Sequence, residues 1–424
     1  MTEDRSGKVS TKGVPAPVSL RRNILFNTIG SLMYQGCQWL TTVLVVILSG
    51  YTDSGILALA MTVGVMFNPI GTYSMRTFQV SDVEGRYTHA NYCAFRILTI
   101  AIGVALVSPY ALFVSGGPSI FLTIFIYLLF KVDEAFSDVL YGVDQRAERM
   151  DYIGVSQFLR GVLIVLSFSC ALFVAHSIDL AVFGMFVACA LVTVMYDIPH
   201  ALRFASLRPT ISWADARSLL FECWPMVVAT LLISMVVSVA RQYYSYAFGV
   251  DQLGLYAAVA TPAVLVQAMA RFLYSPSLVP LAERWTSGDM GSFISYLKKA
   301  ALLMLAVVGF VAVGLSLAGP VLLPLVYGQS ITDYVYLFPM VLVGTGLIAF
   351  LWLFSDVLIV CRDMKGLLVT DAAAFAVSLA LVIPLEMLFG MNGINFVVVI
   401  SMAAGLTIAC ARIAKLAKRQ SVRS

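Results

Sequence analysis

Long apolar runs separated by short polar turns repeat from residue 23 to residue 411, and most reach the roughly 20 residues a helix needs to cross hydrocarbon. The pattern predicts spans at 23–48, 54–73, 94–113, 119–141, 152–175 and 179–198, then at 219–246, 253–273, 300–317, 336–360, 367–388 and 394–411. Twelve membrane-spanning helices follow, and the expected fold is all-α. The weak ten-residue alternation of a membrane barrel does not produce runs of this length. The polar stretch 203–217 separates two sets of six, giving lobes at 23–205 and 206–414 between basic tails at 1–22 and 415–424.

The two sets share a signature. The first span ends Gly50-Tyr51-Thr52-Asp53 and the second opens Gly55-Ile56-Leu57-Ala58; the seventh ends Phe248-Gly249-Val250-Asp251 and the eighth opens Leu253-Gly254-Leu255-Tyr256-Ala257. Setting Gly55 against Gly254 aligns a glycine, an aliphatic residue and an alanine three on, with an Asp just upstream and an Arg (Arg76, Arg271) closing the second span of each set. An even number of spans per set makes the halves parallel repeats about an axis normal to the membrane, with substrate sites between lobes. The longer inner connections, 75–92 and 274–299, are expected to form interfacial helices. So is the linker, where Ile211, Trp213 and Ala214 lie among charges.

Composition agrees with a membrane chain: 60% of residues are hydrophobic and 12% charged, against about 25% charged in soluble domains. Nearly all of the 27 Lys and Arg residues fall on the side of the N-terminus, so both termini are expected to be cytoplasmic. The basic leading segment has no short apolar core followed by a cleavage site, so the first span is expected to stay as a membrane helix. The seven cysteines and three histidines are scattered without ligand spacing, so no metal and no cofactor is expected.

Short external turns leave no room for a soluble catalytic domain, which disfavours a membrane glycan polymerase or ligase and points away from an enzyme. No GxxxxGK[ST] phosphate cradle occurs, and no nucleic-acid partner is implied. Asp82, Gly85 and Arg86 imitate part of the major facilitator signature, but Phe78 stands where that signature needs Gly and no second basic residue follows Arg86. Transport is the leading class.

Asn27, Gly30 and Gln38 in span one, Gly55 with Leu57-Ala58, and Arg76 resemble the first repeat of the polysaccharide-transporter branch of the MATE-like multidrug/oligosaccharidyl-lipid/polysaccharide (MOP) flippases. Pro225, Arg241-Gln242-Tyr243-Tyr244, Gly249, the Leu253–Ala257 run, and Pro280 with Gly288-Asp289 resemble the second. The resemblance implies export of a lipid-linked oligosaccharide across the bacterial inner membrane by alternating access. Membrane lipids and downstream glycan polymerase machinery are the further candidate partners, and H⁺ or Na⁺ is a candidate coupling ion. Ala240 stands where the family usually has Asp before the Arg of span seven. A drug/cation antiporter of the same superfamily is the alternative.

A polyprenyl-pyrophosphate sugar needs cations and aromatics in a wet cleft. Arg241 lies about 12 Å from the outer end of its helix, where a charge is costly unless it meets water or an anion. It reads as a pyrophosphate or acidic-sugar contact beside Tyr244, or as an Arg snorkelling to the headgroups. In span four, Lys131, Glu134 and Asp138 share one face, as a substrate contact, a cation relay or an internal pair. Arg160 completes a basic patch with Lys131 or pairs with Asp133 or Glu134. Arg76 and Arg271 gather pyrophosphate at the inner face or anchor topology. Asn27 and Gln38 contact sugar or bond between helices, and Asp356 and Asp371 are further candidates for ion coupling.

Overall fold

The computed structural model describes residues 18–82 and 85–421. The tail expected at 1–22 lies outside the described residues up to position 17. In hydrocarbon each backbone amide needs a partner within its own segment, which a helix supplies, and no strand occurs among the described residues. The first series is α1 (Leu20–Ser49), α2 (Tyr51–Thr72), the short α3 (Met75–Ser81), α4 (His89–Ser115), α5 (Pro118–Arg146), α6 (Met150–Ala175) and α7 (Ile178–Val192). A π-helical turn, Thr193–Asp197, carries α7 into α8 (Ile198–Ala201). The second series is α9 (Trp213–Phe248), α10 (Val250–Ala260), α11 (Val264–Tyr274), α12 (Leu278–Ser287), α13 (Met290–Tyr327), α14 (Phe338–Val360), α15 (Met364–Phe389) and α16 (Met391–Ser421).

Ten helical stretches among the described residues are long and apolar enough to cross a membrane. The other two expected spans have visible physical causes for standing apart. Helix α5 has 29 residues but carries Lys131, Asp133, Glu134 and Asp138 in its middle. The eighth span is split by the 3-10 turn Thr261–Ala263, which contains Pro262, into α10 and α11 of 11 residues each. Large apolar side chains such as Phe113, Phe173, Phe310 and Leu325 stay exposed, as lipid-facing groups do. The inner connections are only partly helical: α3 ends before Asp82, while α12 covers the middle of the second connection and α13 starts at Met290, earlier than its hydropathy suggests.

The chain divides into two compact units, up to Val227 and from Val228 onward. The division falls within α9, beyond the linker at 203–217. The cause is local: Ala216, Leu219 and Cys223 in the first turns of α9 pack into a cluster with Met75, Tyr87, Tyr92, Phe95 and Val139.

Within each unit the helices pack in the same order. In the first, α2 packs on α4 and α5, α4 on α5, α5 on α7 and α6 on α7; in the second, α11 packs on α13 and α14, α13 on α14, α14 on α16 and α15 on α16. The turn between the first two helices of each series repeats as well. Gly50 has φ 94° and Gly249 φ 98°, a region open to glycine. Their carbonyls accept from Ser54 and Leu253, the same step along each chain.

Apolar side chains gain little by leaving lipid for protein, so close packing and polar links hold such helices together. Helices α1 and α6 meet backbone to backbone: a methyl group on Gly154 would lie 2.2 Å from the Phe26 carbonyl oxygen, and one on Gly30 would lie 2.2 Å from that of Gly154.

Candidate functional site

The expected site residues fall into both units. In the first unit, the polar residues of α5 divide between two faces. Lys131 pairs with Glu134, whose Oε1 accepts from the Tyr34 hydroxyl and, at 2.8 Å, from Gln38 Nε2, both on α1. One α-helical step further, Asp138 accepts from Arg96 Nη2 at 2.7 Å and lies 3.6 Å from Arg76 Nη1. Arg96 is fully buried and also donates to the Gly71 carbonyl at 2.9 Å. Arg76 donates to Gln145 Oε1 at 3.1 Å. Asn27 is half-buried on α1, about two turns before Tyr34.

Asp133 and Ser137 form the other face of α5. Arg160 of α6 donates from Nη1 to Asp133 Oδ2 at 2.8 Å and from Nη2 to Asp197 Oδ2 at 2.9 Å, and also reaches Ser137 and Thr193. Thr193 Oγ1 in turn donates to Asp133 Oδ1 at 2.6 Å. The π-helical turn has a wider pitch circle than an α-helix and brings Thr193 and Asp197 onto one guanidinium. Arg160 and Lys131 therefore do not join into one basic patch. Each cation is matched by a carboxylate on its own face of α5, and the expected net positive charge is absent from this cluster.

In the second unit the expected residues stay further apart. Half-buried Arg241 on α9 sits with its guanidinium carbon 5.7 Å from the Tyr256 ring centre. No carboxylate lies within ion-pair distance of it among the described residues, and its buried Nε lacks a hydrogen-bond partner. Tyr244, one turn on, is buried and stacked on Phe248 at 4.6 Å. Toward the other end of the unit, Arg271 lies 5.9 Å from the Trp352 ring centre, and the Tyr274 hydroxyl donates to Asp356 Oδ2 at 2.9 Å. Asp371 on α15 is buried, its Oδ1 has no partner, and it forms no ion pair among the described residues.

Three buried charged residues escape the hydropathy pattern. Arg96 lies within two turns of the start of α4 and reads as a boundary charge. Asp197 reads as the end of a span, and only the π turn aims it at Arg160. Glu386, fully buried on α15 with neither carboxylate oxygen bonded, reads as the end of an apolar run.

The major facilitator-like triplet has a different use. Asp82 Oδ1 accepts from the Arg86 amide at 2.9 Å, while Oδ2 accepts from the Tyr87 amide at 3.0 Å and the Tyr92 hydroxyl at 2.9 Å. Arg146 donates to the Asp82 carbonyl at 3.0 Å. Partial burial acts to raise the Asp82 carboxyl, but the two amides, the Tyr92 hydroxyl and the Arg146 charge outweigh it and hold the group below its usual value. Asp82 is thus the knot of the loop between α3 and α4.

No protein-family model and no curated protein sequence matches the chain. Solved structures do. A multidrug resistance MATE family transporter of the MOP superfamily, in its inward-facing conformation, aligns at TM-score 0.70 and 12% identity over 93% of this chain and 99% of the other. The lipid II flippase MurJ, inward closed, aligns at TM-score 0.73 and 13% identity over 94% and 90%. A MOP superfamily transporter from Pyrococcus furiosus Vc1, described as having a binding pocket of reversed polarity, aligns at 0.63 and 16% over 96% and 100%. At such identities the common property is architecture: this polytopic, all-helical membrane protein has the fold shared by MATE transporters and the MurJ flippase.

Proposed function

We propose that the protein is a flippase of the bacterial inner membrane that moves a lipid-linked, polyprenyl-pyrophosphate oligosaccharide outward by alternating access, for surface polysaccharide synthesis. The observation that carries this reading is the contrast between the two units. Lys131, Arg96 and Arg160 are each engaged by a carboxylate, whereas Arg241 has an aromatic neighbour and no carboxylate in range. A cation held within a membrane helix in this way is suited to an incoming anion such as pyrophosphate.

The fold supports the reading, since it includes a lipid II flippase among its solved examples. Ala240 supports it too, by leaving Arg241 without a neighbouring acid on its own helix. A cation antiporter of the same fold is less suited to the charged cluster around α5, where Asp133, Glu134, Asp138 and Asp197 are all paired. Outward movement of negative charge is favoured by about 2.3 kcal/mol per charge for each 100 mV of membrane potential, so no ATP is required. Both termini are assigned to the cytoplasm, and a polymerase outside would take the delivered glycan.

The test is Arg241→Ala in the native host. Surface polysaccharide is expected to disappear while the protein reaches the membrane at normal level; unchanged polysaccharide would reject the reading.

A further inference from the structure

Asp144 is an acid for which no cation is left. It lies in the last turn of α5, beyond the stretch 119–141 expected to cross the membrane. This is the end of the first unit where α1 begins: Asn23 of α1 donates to the Glu148 carbonyl at 2.6 Å. Only 2% of Asp144 is exposed, and its Oδ1 is buried without a hydrogen-bond partner. It forms no ion pair among the described residues. Leu140 and Val143, beside it on α5, pack with Ala201 and Ala205.

The guanidinium groups at this end are committed elsewhere. Arg149 forks onto Asp151 at 2.8 and 3.0 Å, and Arg22 reaches the same carboxylate at 3.7 Å. Arg76 serves Asp138 and Gln145, Arg146 the Asp82 carbonyl, and Arg160 both Asp133 and Asp197. Of the other titratable groups, His200 of α8 lies with its ring centre 4.2 Å from that of Tyr196 on the π turn and 4.4 Å from that of Tyr152 on α6. Tyr141 of α5 is bonded to Ser156. Helix α4 brings His89 and Tyr92, which lie toward Asp82, and Arg96, held by Asp138. Cys189 of α7 lies toward Arg160, while Asp53 of α2 and Asp179 of α7 sit in the first turns of their helices, at the far end.

Two features of the site oppose a carboxylate. A charge taken out of water without a donor is costly, and the last carbonyls of a helix carry partial negative charge. The neighbouring charges divide: those of Asp197 and Asp151 oppose ionisation of Asp144, and those of Arg149 and Arg76 favour it. A proton taken up from water onto one oxygen removes the cost of the buried charge. Of the Arg160–Asp197 pair, Asp197 is the member whose charge acts more on Asp144. We infer that Asp144 is a proton-binding site whose proton strengthens the hold of Asp197 on Arg160. The coupling is mutual: an ionised Asp144 repels the Asp197 carboxylate, and a neutral one leaves it to the guanidinium. Asp197 belongs to the π turn and Arg160 to α6, so the proton tightens the junction of these two elements with α5. Neither part depends on what Arg241 binds.

Infrared difference spectra of the full-length protein in lipid nanodiscs, titrated from acid to alkali, test the site. The wild type is expected to show a protonated-carboxyl band that fades as pH rises, that Asp144→Asn removes and that Asp144→Glu, which keeps an acid, displaces. Asp151→Asn removes an opposing charge and frees Arg149, so it is expected to move the fading to lower pH. Identical wild-type and Asp144→Asn spectra, or fading unmoved in Asp151→Asn, would overturn the proton site. Hydrogen exchange at the amides of residues 193–197, corrected for the intrinsic pH effect, reads the coupling. Protection there is expected to fall in the wild type as the band fades, and to persist in Asp144→Asn. Protection that falls equally in Asp144→Asn, or that does not fall in the wild type, would overturn the coupling, while the band still decides the site.

Discussion

Arg160 donates to Asp133 at 2.8 Å with both side chains buried, and Asp197 closes the same guanidinium from the other side. Removing one partner from such a network leaves uncompensated buried charge, a loss of about 3–5 kcal/mol. Arg160→Ala is therefore expected to lower the thermal midpoint of the purified protein sharply. Arg160→Met combined with Asp133→Asn and Asp197→Asn should cost less than Arg160→Ala alone, because no orphan charge remains. Equal losses in both would show that the charges are not what couples α5, α6 and α7.

The paired glycine turns make a symmetrical expectation. At φ 94° and 98°, a side chain strains the backbone by about 1–3 kcal/mol. Gly50→Ala and Gly249→Ala should each destabilise the protein by that order, measured by unfolding in mixed detergent micelles. A change in one and not the other would argue against equivalent turns.

Asp82 provides a pH-dependent expectation at the membrane surface. Its carboxyl is held below the unfolded-chain value of about 3.9. The stabilisation is complete above that value and is lost as pH falls through the lower, folded value. Hydrogen exchange at the amides of Arg86 and Tyr87 should speed up below about pH 4, beyond the intrinsic pH effect, and Asp82→Asn should abolish that excess. Protection that persists under acid in the wild type would contradict the carboxylate's role.

The spans and the repeat were legible because membrane thickness dictates run length and because Gly50 and Gly249 sit at turns that tolerate little else. The shared face of Lys131, Glu134 and Asp138 was legible from helical periodicity alone. What each charge meets was not. Arg160 reads equally well as a substrate cation or as a buried partner, and only tertiary packing joins it to Asp133. Asp197 depends on a π turn that no local pattern announces. Glu386 was invisible because hydropathy treats a single acid near the end of a run as a boundary, whereas packing against Gly393 and α16 takes it out of solvent.

The anion reading of Arg241 is tested most directly by transfer of a fluorescent polyprenyl-pyrophosphate oligosaccharide across liposomes containing the purified protein, followed by protection from a membrane-impermeant quencher. Loss of one charge-assisted contact is worth about 1.5–3 kcal/mol. Wild-type protein is expected to transfer the lipid, and Arg241→Ala to slow transfer by about ten- to a hundredfold with reconstitution unchanged. Transfer by Arg241→Ala at the wild-type rate, or by wild-type liposomes no faster than by empty ones, would contradict the account.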